Sequence, residues 1–192
     1  MLSIMLSIFA AVMLAAGVLA QPVVPTVDKM PQGNGKDGAL LIQNFYRNQA
    51  HVPALAWSQD LVDQAQIAVD WIAAADMPNT SINFTARSSE NSSYSIQVAY
   101  LSPGTPRLFG DFYETVLAFW AGRLSYHGEV IPDGDFFNYS AYTQMMWSST
   151  RFVGMAGAQN RENGTFVVAA YSPAGNIFGE KPFNGTINST IA

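Results

Sequence analysis

The sequence predicts an α+β fold in which helices layer against a small antiparallel sheet. Two observations carry this. Three segments, GALLIQNFYRNQA (38–50), SQDLVDQAQIAVDWIAAAD (58–76) and GDFYETVLAFWAGRLSY (110–126), place apolar residues at helical spacing. Later, RFVGMAGAQ (151–159) and TFVVAAYS (165–172) are apolar, β-branched runs joined by the turn sequence NRENG, which is a hairpin pattern. Helices followed by paired strands make a layered α+β domain.

The elements follow in order. Residues 1–20, MLSIMLSIFAAVMLAAGVLA, hold no charge and no proline. An apolar core that ends in small residues before Gln21-Pro22 reads as a secretory signal peptide, although it lacks a basic start. Its length would also span a bilayer as an uncleaved anchor; the small residues at the expected cut favour cleavage, leaving no integral membrane association. Residues 21–37 are rich in Pro and Gly and form a flexible linker. Gly33-x-Gly35-x-x-Gly38 matches a dinucleotide fingerprint by letter, but prolines stand where its strand should be.

In the first helix Leu41 and Phe45 share a side, with Ile42 and Tyr46 one face over; Pro53 lies beyond its end. Ser58 caps the second helix, whose buried stripe is Leu61, Ala65, Ala68 and Ile72, and Pro78 stops it. Residues 79–107 are rich in Ser, Asn and Pro around one apolar run, YSIQVAYL, which suits a strand or a short helix. The third helix turns Phe112, Val116, Phe119, Trp120 and Leu124 to its apolar side. A Gly/Asp/Pro-rich loop (127–138) leads into a short helix, AYTQMMWSS, and then the hairpin.

Composition excludes several functions. With 12% charged residues, a net charge of -5 and no basic patch, the chain has nothing to engage a phosphate backbone, so no nucleic-acid partner is expected. It has no cysteine, which removes thiol catalysis and thiolate metal sites. Its two histidines, His51 and His127, lack a second ligand at helical spacing. His127, Glu129, Asp133 and Asp135 share one loop, without the ligand spacing of a calcium site. No nucleophile-base pair is evident, so no catalytic residue and no cofactor are assigned. Seven N-x-S/T sequons, at Asn79, Asn83, Asn91, Asn138, Asn163, Asn184 and Asn188, accompany the leader. Together they point to a secreted, extracellular glycoprotein.

A resemblance sharpens the expectation. AYTQMMWSSTRFVGMAGAQ followed by FVVAAYSPAGNIFGEKPF resembles the two signatures of the CAP superfamily (cysteine-rich secretory, antigen 5 and pathogenesis-related-1 proteins). NFYRNQAHVPALAW is similar to the family's Asn-x-x-Arg-x-x-x-x-Val-Pro-x-Leu-x-Trp entry, and SSEN sits where the family writes Gly-Glu-Asn. The resemblance spans residues 38–183, leaving 184–192 as a tail, and implies an α-β-α sandwich with a central cleft. The family often lines that cleft with two His and two Glu able to hold zinc. Carried over by position, one Glu falls on Glu90, the second on Arg123, one His on Ala141 and the other near Asn83 or Phe84. The cleft is therefore read as degenerate, with no metal. The family's usual Cys and Asn near the second signature fall on Ala169 and Ala170.

Two non-catalytic functions remain. Members of the family bind sterols or fatty acids, and DGDFFNYSAY places Phe136, Phe137, Tyr139 and Tyr142 around the loop into the short helix. Aromatics beside Gly and Asp suit a lid over an apolar ligand, although aromatics also pack into cores. The alternative is a ligand-free interaction protein, an effector or decoy that meets an extracellular protein partner.

Overall fold

The computed structural model describes residues 35–75, 94–105 and 110–184. The leader, most of the linker, Pro78, Phe84, Glu90, four sequons (Asn79, Asn83, Asn91 and Asn188) and the tail beyond 184 lie outside the described residues.

Helix α1 spans Gly35–Gln49, so it begins within the expected linker and absorbs the end of the Gly-x-Gly-x-x-Gly sequence. Its buried side is Ala39, Ile42 and Tyr46, together with the polar Gln43 and Arg47. Leu41, expected on the apolar side, is 46% exposed. Reading apolar letters alone selects the wrong face here, because two polar side chains belong inside. Strand β1, Ala56–Trp57, runs parallel to the hairpin's first strand, pairing Ala56 with Phe152. Two residues carry no periodicity, so the sequence does not signal it.

Helix α2, Gln59–Ala74, starts at the Ser58 cap, whose side chain accepts from Leu61 N at 3.4 Å. Leu61, Ala65, Val69 and Ile72 are buried, Val69 taking the place expected of Ala68. YSIQVAYL forms strand β2, Ser95–Leu101. Helix α3, Asp111–Ala121, tightens into a 3₁₀ turn at Gly122–Leu124. That change of pitch leaves Leu124 63% exposed rather than on the buried side. Helix α4, Phe137–Met145, begins four residues before the expected Ala141.

The hairpin is present as expected. Strands β3 (Phe152–Gln159) and β4 (Thr165–Ser172) pair antiparallel, from Phe152 with Ser172 to Gln159 with Thr165. At the turn, Asn163 adopts a left-handed φ of 61°, tolerable for Asn, and Asn160 Oδ1 accepts from Gly164 N at 2.8 Å. Strand β2 lies antiparallel on the other side of β4, giving the order β1-β3-β4-β2. The sheet is therefore mixed, not wholly antiparallel; the short β1 makes the difference.

Side-chain alternation along β4 builds the two layers. Phe166, Val168 and Ala170 pack with Leu61, Ala65, Val69 and Ile72 of α2. Val167, Ala169 and Tyr171 pack with α1, α3 and α4. The result is an α-β-α sandwich in which, among the described residues, α2 is the one helix on that side of the sheet. Gly154 on β3 sets the spacing of α2: a Cβ there would lie 2.6 Å from the Leu61 carbonyl carbon. Helix backbone cannot yield as a flexible side chain can. Gly154→Ala is expected to cost about 1–3 kcal/mol of stability, the usual cost of overpacking, whereas Gly134→Ala, with nothing within 4 Å, should leave stability unchanged. Denaturant midpoints of the two variants compare the sites directly.

Candidate functional site

Polar residues under α4 are organised around one buried cation. Arg47 leaves the last turn of α1 and is fully buried. Its Nε donates to Pro53 O at 2.7 Å; Nη1 donates to Met145 O at 2.7 Å and Trp147 O at 3.1 Å; Nη2 donates to Thr150 O at 2.9 Å. Planar guanidinium geometry suits this multi-carbonyl cradle, and two of the four oxygens come from the end of α4 and the residues just beyond, where helix carbonyls lack partners. Burial nonetheless pushes the Arg47 guanidinium down to about 10.

Three residues of the AYTQ run have structural tasks. Gln144 Oε1 accepts from Ser95 Oγ on β2 at 2.5 Å and from Gly175 N at 2.9 Å, while its Nε2 donates to Thr150 Oγ1 at 3.3 Å. Thr143 Oγ1 donates to Asn176 Oδ1 at 2.7 Å, and Asn176 Nδ2 donates to Ser140 O at 2.9 Å. Tyr142 is a core residue. Beneath the same layer, the Tyr171 hydroxyl donates to Gln43 Oε1 at 2.8 Å. Asn44 holds Leu55 at both ends, accepting from its N at 2.7 Å and donating to its O at 2.9 Å. The Asn44, Arg47 and Pro53 positions of the Asn-x-x-Arg entry are thus anchors. Sequence reading assigned Arg47 no role, and its place in that motif was the signal available.

An aromatic cluster surrounds Arg123. Its Cζ lies 5.1 Å from the Trp120 ring centroid. Trp120 stacks on Tyr46 at 3.8 Å and 5°, and meets Tyr142 edge-on at 5.5 Å. Gly122 lets the 3₁₀ turn approach α4, since a Cβ there would stand 3.0 Å from Tyr142 Cβ. Arg123 is half-buried, and among the described residues its Nε has no hydrogen-bond partner; nor does the Tyr142 hydroxyl. Burial lowers the Arg123 pKa, with Tyr46 and Tyr142 opposing the shift. Burial pushes Tyr46 up to about 12, and pushes Tyr142 well above the usual phenol range.

The four expected lid aromatics do not form one exposed patch. Phe136 is buried against Ile131 and Trp147. Tyr142 is buried between Trp120 and Tyr126, at centroid distances of 5.5 and 5.9 Å. Tyr139 is partly buried, 5.5 Å from Tyr126 and 5.9 Å from Phe136. Phe137 alone is exposed, at 44%. The expectation that these aromatics are exposed is corrected for Phe136 and Tyr142, which contribute more by filling the core. Ala141 is partly buried against the same core as Trp120 and Tyr142. Among the described residues no group of three or more His, Asp or Glu is placed to hold a metal. Asn138, Asn163 and Asn184 are exposed.

With the sandwich and the residues around α4 in view, the comparisons have a clear meaning. The model of the CAP family, described as the cysteine-rich secretory protein family, matches residues 40–171. The chain belongs to the CAP family. It is 26% identical over 164 residues to pathogenesis-related protein PR-1 of Medicago truncatula, covering 83% of this chain and 86% of that protein. It is 27% identical over 129 residues to venom allergen 5 of Vespa mandarinia, covering 66% and 59%. In fold this CAP chain is similar to hookworm platelet inhibitor, with TM-score 0.60 and 16% identity over 84% of this chain and 83% of that one. It is also similar to NaASP2 solved with Zn²⁺, with TM-score 0.58 and 17% identity over 84% and 93%.

Two predictions follow from this geometry. Arg47→Lys should cost about 3–5 kcal/mol in chemical denaturation, because a point charge cannot span the carbonyl cradle and charge-assisted hydrogen bonds are each worth roughly 1.5–3 kcal/mol. A loss below about 1 kcal/mol would show that the cradle is dispensable. The second concerns alkali. Tyr46, Tyr126 and Tyr139 have folded pKa values raised to about 12, and Tyr142 and Tyr171 are raised further. A raised folded value means stability that is complete below the unfolded value of 10.0 and is lost as pH climbs through 12. Arg47, lowered from 12.5 to about 10, and Arg123, also lowered by burial, act in the opposite sense but are two groups against these five tyrosines. Phenolate absorbance from these tyrosines should therefore appear late, together with loss of circular dichroism. Full ionisation near pH 10 with the fold intact would contradict it.

Proposed function

We propose that this CAP protein is secreted and non-catalytic, and that it binds an apolar small molecule, a sterol or a fatty acid, beside α4. The carrying observation is the composition of the aromatic cluster around Arg123. Trp120, Tyr46 and Tyr142 are buried aromatics packed around a single half-buried cation, and the positions aligned with the family's second Glu and one His hold Arg123 and Ala141. A cationic aromatic surface is unsuited to Zn²⁺, which is held by thiolate, imidazole or carboxylate. It suits a mostly apolar ligand with one polar end. Secretion rests on the apolar leader and the sequons, three of which are exposed.

A second reading, a secreted interaction protein with no small ligand, is favoured by the burial of Phe136 and Tyr142. It leaves Phe137 as the exposed aromatic at the start of α4. The readings separate in a binding assay with radiolabelled cholesterol and palmitate on the full chain. Saturable binding that falls about tenfold in Phe137→Ala, an energy of roughly 1.4 kcal/mol, supports the lipid reading with Phe137 at the entrance. No saturable binding of either lipid supports the second. Phe137 is exposed enough that its loss should leave thermal stability within about 0.5 kcal/mol.

A further inference from the structure

We infer that Arg123 and the hydroxyl of Tyr142 form a binding site for a carboxylate, with Trp120 and Ala141 as its apolar wall. The inference deepens the apolar-ligand reading, on which its lipid arm rests, by naming the polar end of the ligand.

Three observations carry it. First, Arg123 is half-buried, and among the described residues the groups that act on its charge are the phenols of Tyr46 and Tyr142, with no acid beside it. Second, its hydrogen bonding is incomplete. Nη1 reaches Trp120 O only at 3.5 Å, the outer limit of a hydrogen bond, and Nε is buried without a partner among the described residues. Third, the Tyr142 hydroxyl is also buried without a partner, although its ring touches the same Trp120 face to edge. Folded proteins leave few buried polar groups unsatisfied, and an absent ligand is one accepted explanation. Two such groups on one tryptophan make a single explanation economical.

The missing partner must be an acceptor, because both groups can donate. The Tyr142 phenol stays protonated at neutral pH, since burial raises its pKa. A guanidinium offers parallel N–H bonds that match the two oxygens of a carboxylate, and the anion balances the charge. A metal cation would be repelled. A neutral alcohol supplies one acceptor and no charge. The buried Trp120, with Tyr46 stacked on its ring, and the partly buried Ala141 are the apolar groups next to the carboxylate, and the carbon chain that follows would leave along the exposed side of Arg123. That chain can be the tail of a fatty acid or the short skeleton of a small organic acid.

Calorimetry on the full chain at neutral pH, with acetate, octanoate and octanol as separate probes, tests this. Octanoate should bind at least about tenfold more tightly than octanol. Arg123→Gln should remove that preference, and Tyr142→Phe, which keeps the ring, should weaken octanoate severalfold. Circular dichroism melts check that both variants fold; if Arg123→Gln does not, Tyr142→Phe decides. Octanoate far tighter than acetate identifies a fatty acid; equal affinities identify a small organic acid and end the lipid reading while the carboxylate site stands. Equal binding of octanoate and octanol overturns the carboxylate site and leaves the apolar-ligand reading intact. Carboxylate binding unchanged in both folded variants overturns it too. No binding of any probe overturns both.

Discussion

The fold depends on Arg47, a buried cation with no anion beside it among the described residues. Its guanidinium ties four backbone carbonyls from three places in the chain: Pro53 after α1, Met145 and Trp147 at the end of α4, and Thr150 before β3. Burying a charge is expensive unless it is hydrogen-bonded. Here the carbonyls that a short helix leaves open at its C-terminus are the ones that hold the charge. Neither side is tolerable alone. The arrangement therefore fixes how α4, only nine residues long, sits against α1. A helix that short has little stability of its own, so its position must come from such ties.

The rest of the α4 region builds on that placement. Gln144 reaches β2 through Ser95 and the segment after β4 through Gly175, while Thr143 reaches Asn176. Gly175 must be small, because a Cβ there would come within 2.5 Å of Trp147 Cγ. Trp147 in turn packs on Phe136 and Ile131. With no cysteine in the chain, side-chain-to-backbone hydrogen bonds and aromatic packing join segments that are distant in sequence. Buried networks of this kind specify one arrangement when every member is satisfied.

How much of this was legible in the sequence follows from where the information lay. Helical spacing located α2 and α3, and apolar β-branched runs around NRENG located the hairpin, because those elements bury one regular face. The face of α1 was misread at Leu41 because Gln43 and Arg47 occupy interior positions that hydropathy assigns to solvent. Strand β1 escaped because two residues have no period. At the candidate site, the change to Arg123 and Ala141 was legible only through the family resemblance. The burial of Phe136 and Tyr142 was not, since an aromatic-rich stretch beside Gly and Asp has the same composition whether it faces solvent or core. Glu90 and Phe84, the other half of the expected cleft, lie outside the described residues.

Arg47 and Arg123 together separate structure from site. Both side chains belong to the layer formed by α1, α3 and α4, neither is paired with an acid among the described residues, and burial lowers the pKa of both. Arg47 has partners on Nε and both terminal nitrogens, three of its four hydrogen bonds being 2.9 Å or shorter. Nothing more can bind there without breaking the fold. Arg123 rests on a ring, with a buried Nε and one stretched hydrogen bond. A cation over Trp gains roughly 0.5–2 kcal/mol, which leaves its hydrogen-bonding capacity untouched. Two arginines in one protein layer thus meet the same problem of burial, and only the first is solved from within the described residues. The unsolved one sits where the turn after α3 meets α4, the same helix whose C-terminal carbonyl Arg47 holds.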